Sequence, residues 1–185
     1  MSGIAISIDP GFASTGYAVW GLSKISSDLI GFGVIKTEKS QRKTTRVSDD
    51  DASRCCDIAE GLHDLIKKYN PDVALMELPI SGAKSATALK CMSMASACAI
   101  AAFKVLEIPV EFAAPQEVKL AAIGKRSATK GEMIAWAKEI YPHDDYPKVA
   151  DTMEHIADAI AVFHKLRSAN LVRAARTQLS MRKTI

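Results

Sequence analysis

No stretch limits this chain more than Ile4-Ala5-Ile6-Ser7-Ile8-Asp9-Pro10-Gly11. A short apolar run rich in β-branched residues reads as a strand, and Pro10-Gly11 ends it at once by removing a backbone donor and permitting an unusual turn. Asp9 is left at the strand's end. A carboxylate there is costly to desolvate unless a positive group, a hydrogen-bond donor or a metal ion meets it. Taken by itself, Asp-Pro-Gly is a turn cap.

The 185 residues, 48% of them hydrophobic, suit one domain with one core. A net charge of +3 decides nothing about nucleic acid, so that case rests on where Lys and Arg lie. Cys55, Cys56, Cys91 and Cys98 show no Cys-x-x-Cys spacing and read as free thiols of a reducing compartment. No basic n-region opens the chain, and the apolar tract from Met94 to Phe103 falls short of the roughly 18 residues of a membrane span. The expectation is a soluble cytoplasmic protein with no membrane partner.

Ser14-Thr15-Gly16 reads as a second turn and Tyr17 to Trp20 as a returning strand, followed by a third strand from Leu29 to Lys36 with Gly31 and Gly33 as bulge positions. From there to Arg46 runs a loop carrying Lys36, Lys39, Arg42, Lys43 and Arg46 against one acid, Glu38; it is either a solvated segment or a phosphate contact. Ser48 to Asp51 supply an N-cap and first-turn acids for a helix in which Ile58, Leu62, Leu65, Ile66 and Tyr69 recur at helical spacing up to Asn70-Pro71. Val73 to Met76 is then a buried parallel strand, and it too ends in a carboxylate, Glu77.

Lys84 to Phe103 is helical in composition, with almost no polar face beyond Lys90, so both sides should be covered: one by the sheet, the other by a partner subunit. Val110 to Phe112 forms a last strand, and Glu117 to Ile123 a short helix stopped by Gly124. Lys125-Arg126-Ser127 is a basic turn, and Thr129 and Glu132 have capping-box spacing. Lys130 in that first turn opposes the helix dipole, which an anion docked there with Lys119 and Lys125 nearby would offset; a snorkelling surface lysine is the alternative. The last major helix runs from Asp151 to about Arg167, with Asp151 and Glu154 at cap spacing. His155 and Asp158 lie three apart beside the docking residues Ile156, Ala159, Ile160 and Phe163. They are ligand candidates, or else a partly buried His-Asp pair. Residues 171–185 read as a mobile basic tail outside a single domain of residues 1–170, with Arg173, Arg176, Arg182 and Lys183 available to nucleic acid.

Strands one and four, as parallel neighbours, would bring Asp9 and Glu77 to one crevice at their carboxyl ends. Acids and an imidazole converging there among basic loops suit two divalent cations about 4 Å apart on a phosphodiester. The chain resembles the RuvC-type Holliday junction resolvases of the RNase H-like superfamily. The resemblance rests on Ile8-Asp9-Pro10-Gly11 with Thr15-Gly16-Tyr17, on Glu77, Ala88-Leu89-Lys90, Pro115, Val118-Lys119, Gly124, Ala128 and Lys130, and on His155 to Ala159.

That resemblance implies an α/β fold with a five-stranded mixed sheet in the order 3-2-1-4-5. It also implies a metal site of Asp9, Glu77, His155 and Asp158, with Mg²⁺ or Mn²⁺, two per site, and Lys119 and Lys130 near the scissile phosphate. DNA contacts are expected from Lys36, Lys39, Arg42, Lys43, Arg46, Ile80, Lys84, Lys90, Lys125 and Arg126, and a homodimer nicking four-way junctions symmetrically is the expected assembly. Many members carry Asp where His155 stands, and an aromatic residue often occupies the place of Ile80. A broader branched-DNA or flap nuclease and a non-catalytic junction-binding protein are the alternatives within the fold. Actin-like ATPases share the Asp-x-Gly turn but need two such domains.

Overall fold

The computed structural model describes residues 3–78 and 85–182. Three antiparallel strands, β1 (Gly3–Asp9), β2 (Ser14–Leu22) and β3 (Ser27–Lys36), lead into helix α1 (Val47–Tyr69). There follow β4 (Val73–Glu77), α2 (Ala86–Val105), β5 (Val110–Ala113), α3 (Pro115–Ile123), α4 (Lys130–Ile140), α5 (Ala150–Leu166) and α6 (Asn170–Arg182). The sheet order is β3-β2-β1-β4-β5, with β4 parallel to β1 and β5 parallel to β4.

The pleat sends alternate side chains to opposite faces, so the sheet separates two cores. Ile6, Ile8, Ala74 and Met76 pack under α1 and α2, whereas Ala5, Val73 and Leu75 pack under the later helices, with Ile156, Ile160 and Phe163 of α5 against them. Trp20 is fully buried on the α5 face, stacked on Phe163 with ring centroids 3.9 Å apart and edge-on to Tyr141. Its indole N–H donates to Ser7 Oγ at 3.0 Å, so the polar atoms of this core satisfy each other.

The close fit of α5 on β2 depends on Gly16. A Cβ placed there would lie 2.1 Å from the backbone oxygen of His155. Ser14-Thr15-Gly16, expected as a turn, is therefore the start of β2: Gly16 pairs with Asp9, and the chain reverses earlier, where Thr15 Oγ1 donates to Gly11 O at 2.8 Å. Gly31 and Gly33 likewise serve close approach, to the Tyr69 and Tyr17 rings. The register shift falls beside them, at Val19/Trp20.

Other boundaries differ from the sequence reading for local reasons. Helix α1 starts two residues earlier than a Ser48 cap requires: Arg46 is the N-cap, with its carbonyl accepting from the N–H groups of Asp49 and Asp50. Val149 caps α5, so Asp151 and Glu154 are not its capping pair. The capping box at Thr129 and Glu132 and the left-handed Gly124 after α3 are present as expected. The segment expected as a mobile tail is α6, with Val172 and Ala175 in the core and Arg176 donating to Ser23 O, Ser26 O and Ser27 Oγ.

Helix α2 buries Ala95, Ser96, Ala99 and Phe103 but leaves Leu89 54% and Val105 79% exposed, so within one chain only one face is covered. It is also long and apolar enough, by length and composition alone, to cross a membrane, which the shorter tract read from sequence did not suggest. All four cysteines are free thiols.

Two predictions follow from this packing. Gly16→Ala should lower stability by roughly 2–3 kcal/mol, because backbone rather than a flexible side chain meets the added methyl; a urea titration checks it, with Gly21→Ala as the tolerated control, since its Cβ would meet nothing closer than 3.5 Å.

The second concerns His164, whose Nδ1 lies 2.9 Å from Tyr141 Oη beside the Trp136 ring; burial, then Arg167, pushes its pKa down to about 4. The unfolded chain takes up this proton below about 6.5 and the folded chain only near 4, so this contribution to stability is lost as pH falls through that window. With allowance for the exposed part of the ring, the loss should be about 1 kcal/mol. On going from neutral pH to about 4, wild type should therefore lose about 1 kcal/mol more stability than His164→Gln in urea titrations, and an equal loss in the two proteins would show that the imidazole is not held neutral.

Candidate active site

Strand parity places both end-strand acids on one face. Asp9 shares the phase of Ala5 and Ser7, and Glu77 that of Val73 and Leu75, so both project toward α5. In the β1–β4 register Ile8 pairs with Met76, and Asp9 and Glu77 are the next residue on each strand. Helix α5 crosses above them and presents His155 and Asp158, one turn apart, from the edge of its docking stripe.

His155 Nδ1 lies 3.2 Å from Asp9 Oδ2, and the two side chains retain only 24% and 17% exposure. That hydrogen bond raises the His155 pKa against the opposing effect of burial. Glu77 is pushed up to about 8 by burial first and then by the charges of Asp9 and Asp158. Asp158 is pushed up to about 7 by burial, then by Asp9 and Glu154. Lys119, half-buried on α3 next to the anchoring Val118, opposes both shifts. Five of the six expected catalytic residues thus share one electrostatic environment.

Lys130 is the sixth, and it is otherwise engaged. Its Nζ is 2.7 Å from the Glu154 carboxylate, across the gap between the first turns of α4 and α5. Among the described residues no three His, Cys, Asp or Glu side chains meet around one point at ligating distance. The donor set nonetheless fits hard cations: buried carboxylates that repel one another lose that repulsion when a divalent ion lies between them.

The expected DNA-contact residues divide into groups. Lys36 is exposed at the end of β3, Lys39, Arg42 and Lys43 are exposed on the loop that follows, and Arg126 is exposed on the turn before α4. Arg46, Lys90 and Lys125 are paired with Asp49, Asp51 and Glu132, respectively. Ile80 and Lys84 lie outside the described residues.

The basic loop is moored to the turn that follows Asp9. Thr37 Oγ1 donates to Phe12 O at 2.6 Å, Thr37 N donates to Ala13 O at 3.1 Å, and Ser40 N donates to the buried Asp50 carboxylate at 2.7 Å. Arg54 of α1 fastens both partners: its Nε donates to Thr37 Oγ1, its guanidinium reaches Phe12 O, and it lies 4.3 Å over the Phe12 ring. Sequence reasoning missed Arg54 and the Glu154 anchor, since a charged residue on a helix gives no local sign of the distant group it meets. Gly16 could have been found from its place opposite Asp9 once the hairpin register was drawn.

The chain is similar to known proteins in sequence and in fold. Residues 5–164 match the family model described as crossover junction endodeoxyribonuclease RuvC. The crossover junction endodeoxyribonuclease RuvC of Cytophaga hutchinsonii is 28% identical over 168 residues, covering 91% of this chain and 78% of that protein. The protein of the same name from Anaeromyxobacter sp. is 32% identical over 166 residues, covering 90% and 74%. Among solved structures, T. thermophilus RuvC in complex with Holliday junction substrate superposes with a TM-score of 0.70 at 20% identity, over 94% of this chain and 97% of that one. The yeast mitochondrial Holliday junction resolvase Ydc2 gives a TM-score of 0.61 at 13% identity, over 100% and 85%. The sheet order and these likenesses are those of an RNase H-like fold. With the family match spanning most of its length, this chain belongs to the RuvC crossover junction endodeoxyribonuclease family.

Proposed function

We propose that this protein is a metal-dependent endonuclease that resolves four-way DNA junctions by paired symmetric nicks as a homodimer. The observation that carries the reading is the shared burial and mutual repulsion of Asp9, Glu77 and Asp158 at the carboxyl ends of β1 and β4, with Lys119 and His155 beside them. Asp9, Glu77 and Asp158 are the residues to hold Mg²⁺ or Mn²⁺, two ions per site, and His155 completes the set as a ligand or takes the proton of the attacking water. When bound, such cations stabilise the charge that builds on the phosphodiester. Lys119 brings a fixed positive charge to the same place, where the phosphate would lie, and Lys130 stands at the rim.

The exposed lysines and arginines of the moored loop suit the DNA backbone, and contacts of this type lose affinity steeply with salt. The uncovered face of α2, with Leu89 and Val105 exposed, suits a second copy. Free thiols and a DNA substrate accord with a cytoplasmic protein.

Asp9→Asn and Glu77→Gln should each abolish cleavage of a labelled four-way junction while leaving folding and junction binding largely intact. Cutting at near wild-type rate by either variant would refute the assignment. Because imidazole is a softer ligand than carboxylate, His155→Asp should shift the metal preference from Mn²⁺ toward Mg²⁺. An unchanged ratio of the two rates would mean that His155 does not touch metal.

A further inference from the structure

Lys130 occupies a costly position. It is the first residue of α4, its side chain is 77% exposed, and its charge opposes the positive end of the helix dipole. A free lysine there would spread over many rotamers, and holding its ammonium at one point would cost entropy at the moment of reaction. Glu154 removes that freedom. Its carboxylate is only 14% exposed, sits on the rigid first turns of α5 directly before His155, and meets Lys130 Nζ at 2.7 Å. Glu154 thus holds its partner from a largely buried place one turn before Asp158.

Next to this pair, Thr129 and Glu132 close the capping box, and Glu132 also engages Lys125. The neighbouring cation of the turn is thus taken up by the cap, and Lys130 is the one directed across to α5. Surface ion pairs of this length contribute little to stability, so the stability of α4 does not account for the arrangement.

We propose that Glu154 is a positioning residue for the cleavage reaction, holding the Lys130 ammonium at the rim of the acidic site from which it reaches the scissile phosphate. This rests on the role given to Lys130 under the proposed function. Glu154 touches neither DNA nor reacting atoms; it acts through Lys130, so its loss should appear in the cleavage step and vanish when Lys130 is already gone.

The test is a double-mutant cycle on the full chain, with single-turnover cleavage of a labelled four-way junction in Mg²⁺ and junction affinity measured separately. Glu154→Ala should slow cleavage about tenfold while changing the junction Kd less than about twofold, and the isosteric Glu154→Gln, which keeps a weaker hydrogen bond, should fall between. In the Lys130→Met background, Glu154→Ala should cause no further loss. A melting curve for each variant separates misfolding from mispositioning, and Glu154→Gln carries the test if the alanine variant is unstable. A wild-type rate for both Glu154 variants with Lys130→Met impaired would overturn the positioning role alone. Additive losses would also overturn it, since Glu154 would then act by another route. A wild-type rate for Lys130→Met would remove the role of Lys130 itself, and the positioning role with it.

Discussion

Helix α5 lies so close to β2 that the sheet has no room for a methyl group at Gly16. That approach sets the height of His155 and Asp158 above the strand ends, and it is fixed from below by Trp20, which fills the space between β2 and Phe163. Since the pleat has already turned Asp9 and Glu77 to this face, one packing distance decides whether these two acids meet His155 and Asp158 or miss them. The stability of the α5 core is thus spent on bringing acids together that would otherwise stay apart in water.

The rest of the molecule arranges access to that point. Lys119 reaches it from α3, which Val118 pins to the core. Lys130 approaches from α4, tied back to α5 by Glu154. On the other side the basic loop does not hang free: Thr37, Phe12 and Arg54 bind it to the turn that carries Asp9. A displacement of this loop is therefore passed directly to the turn that follows Asp9, with little slack between them.

Most of the fold was legible because its signals are local or periodic. Alternating β1, a run ended by Pro10-Gly11, the parallel run ending in Glu77 and the box at Thr129 each stand within a few residues, and the strand order came with the family resemblance. What the sequence concealed lies in contacts between distant segments. Thr15-Gly16 looks like a turn and is a strand, because glycine there answers a helix some 140 residues away rather than a reversal. Residues 171–185 look like a basic tail, yet Val172 and Ala175 find the core and Arg176 finds two acceptors in the β2–β3 connection and a third at the start of β3. Lys90, Lys125 and Arg46 looked like free DNA contacts, and each has an acid partner that a one-dimensional reading could not assign.

The aromatic cluster has a further consequence for observing the protein. Its two tryptophans, Trp20 and Trp136, both lie in the layer around α5: Trp20 is stacked on Phe163, and Trp136 is edge-on to Tyr141 and His164. Tryptophan emission from this chain consequently carries almost no signal from α1, α2 or the basic loop. It is an optical gauge of a single joint, the seating of α5 on the sheet, and so it reads out the spacing of the acidic groups without a label near them.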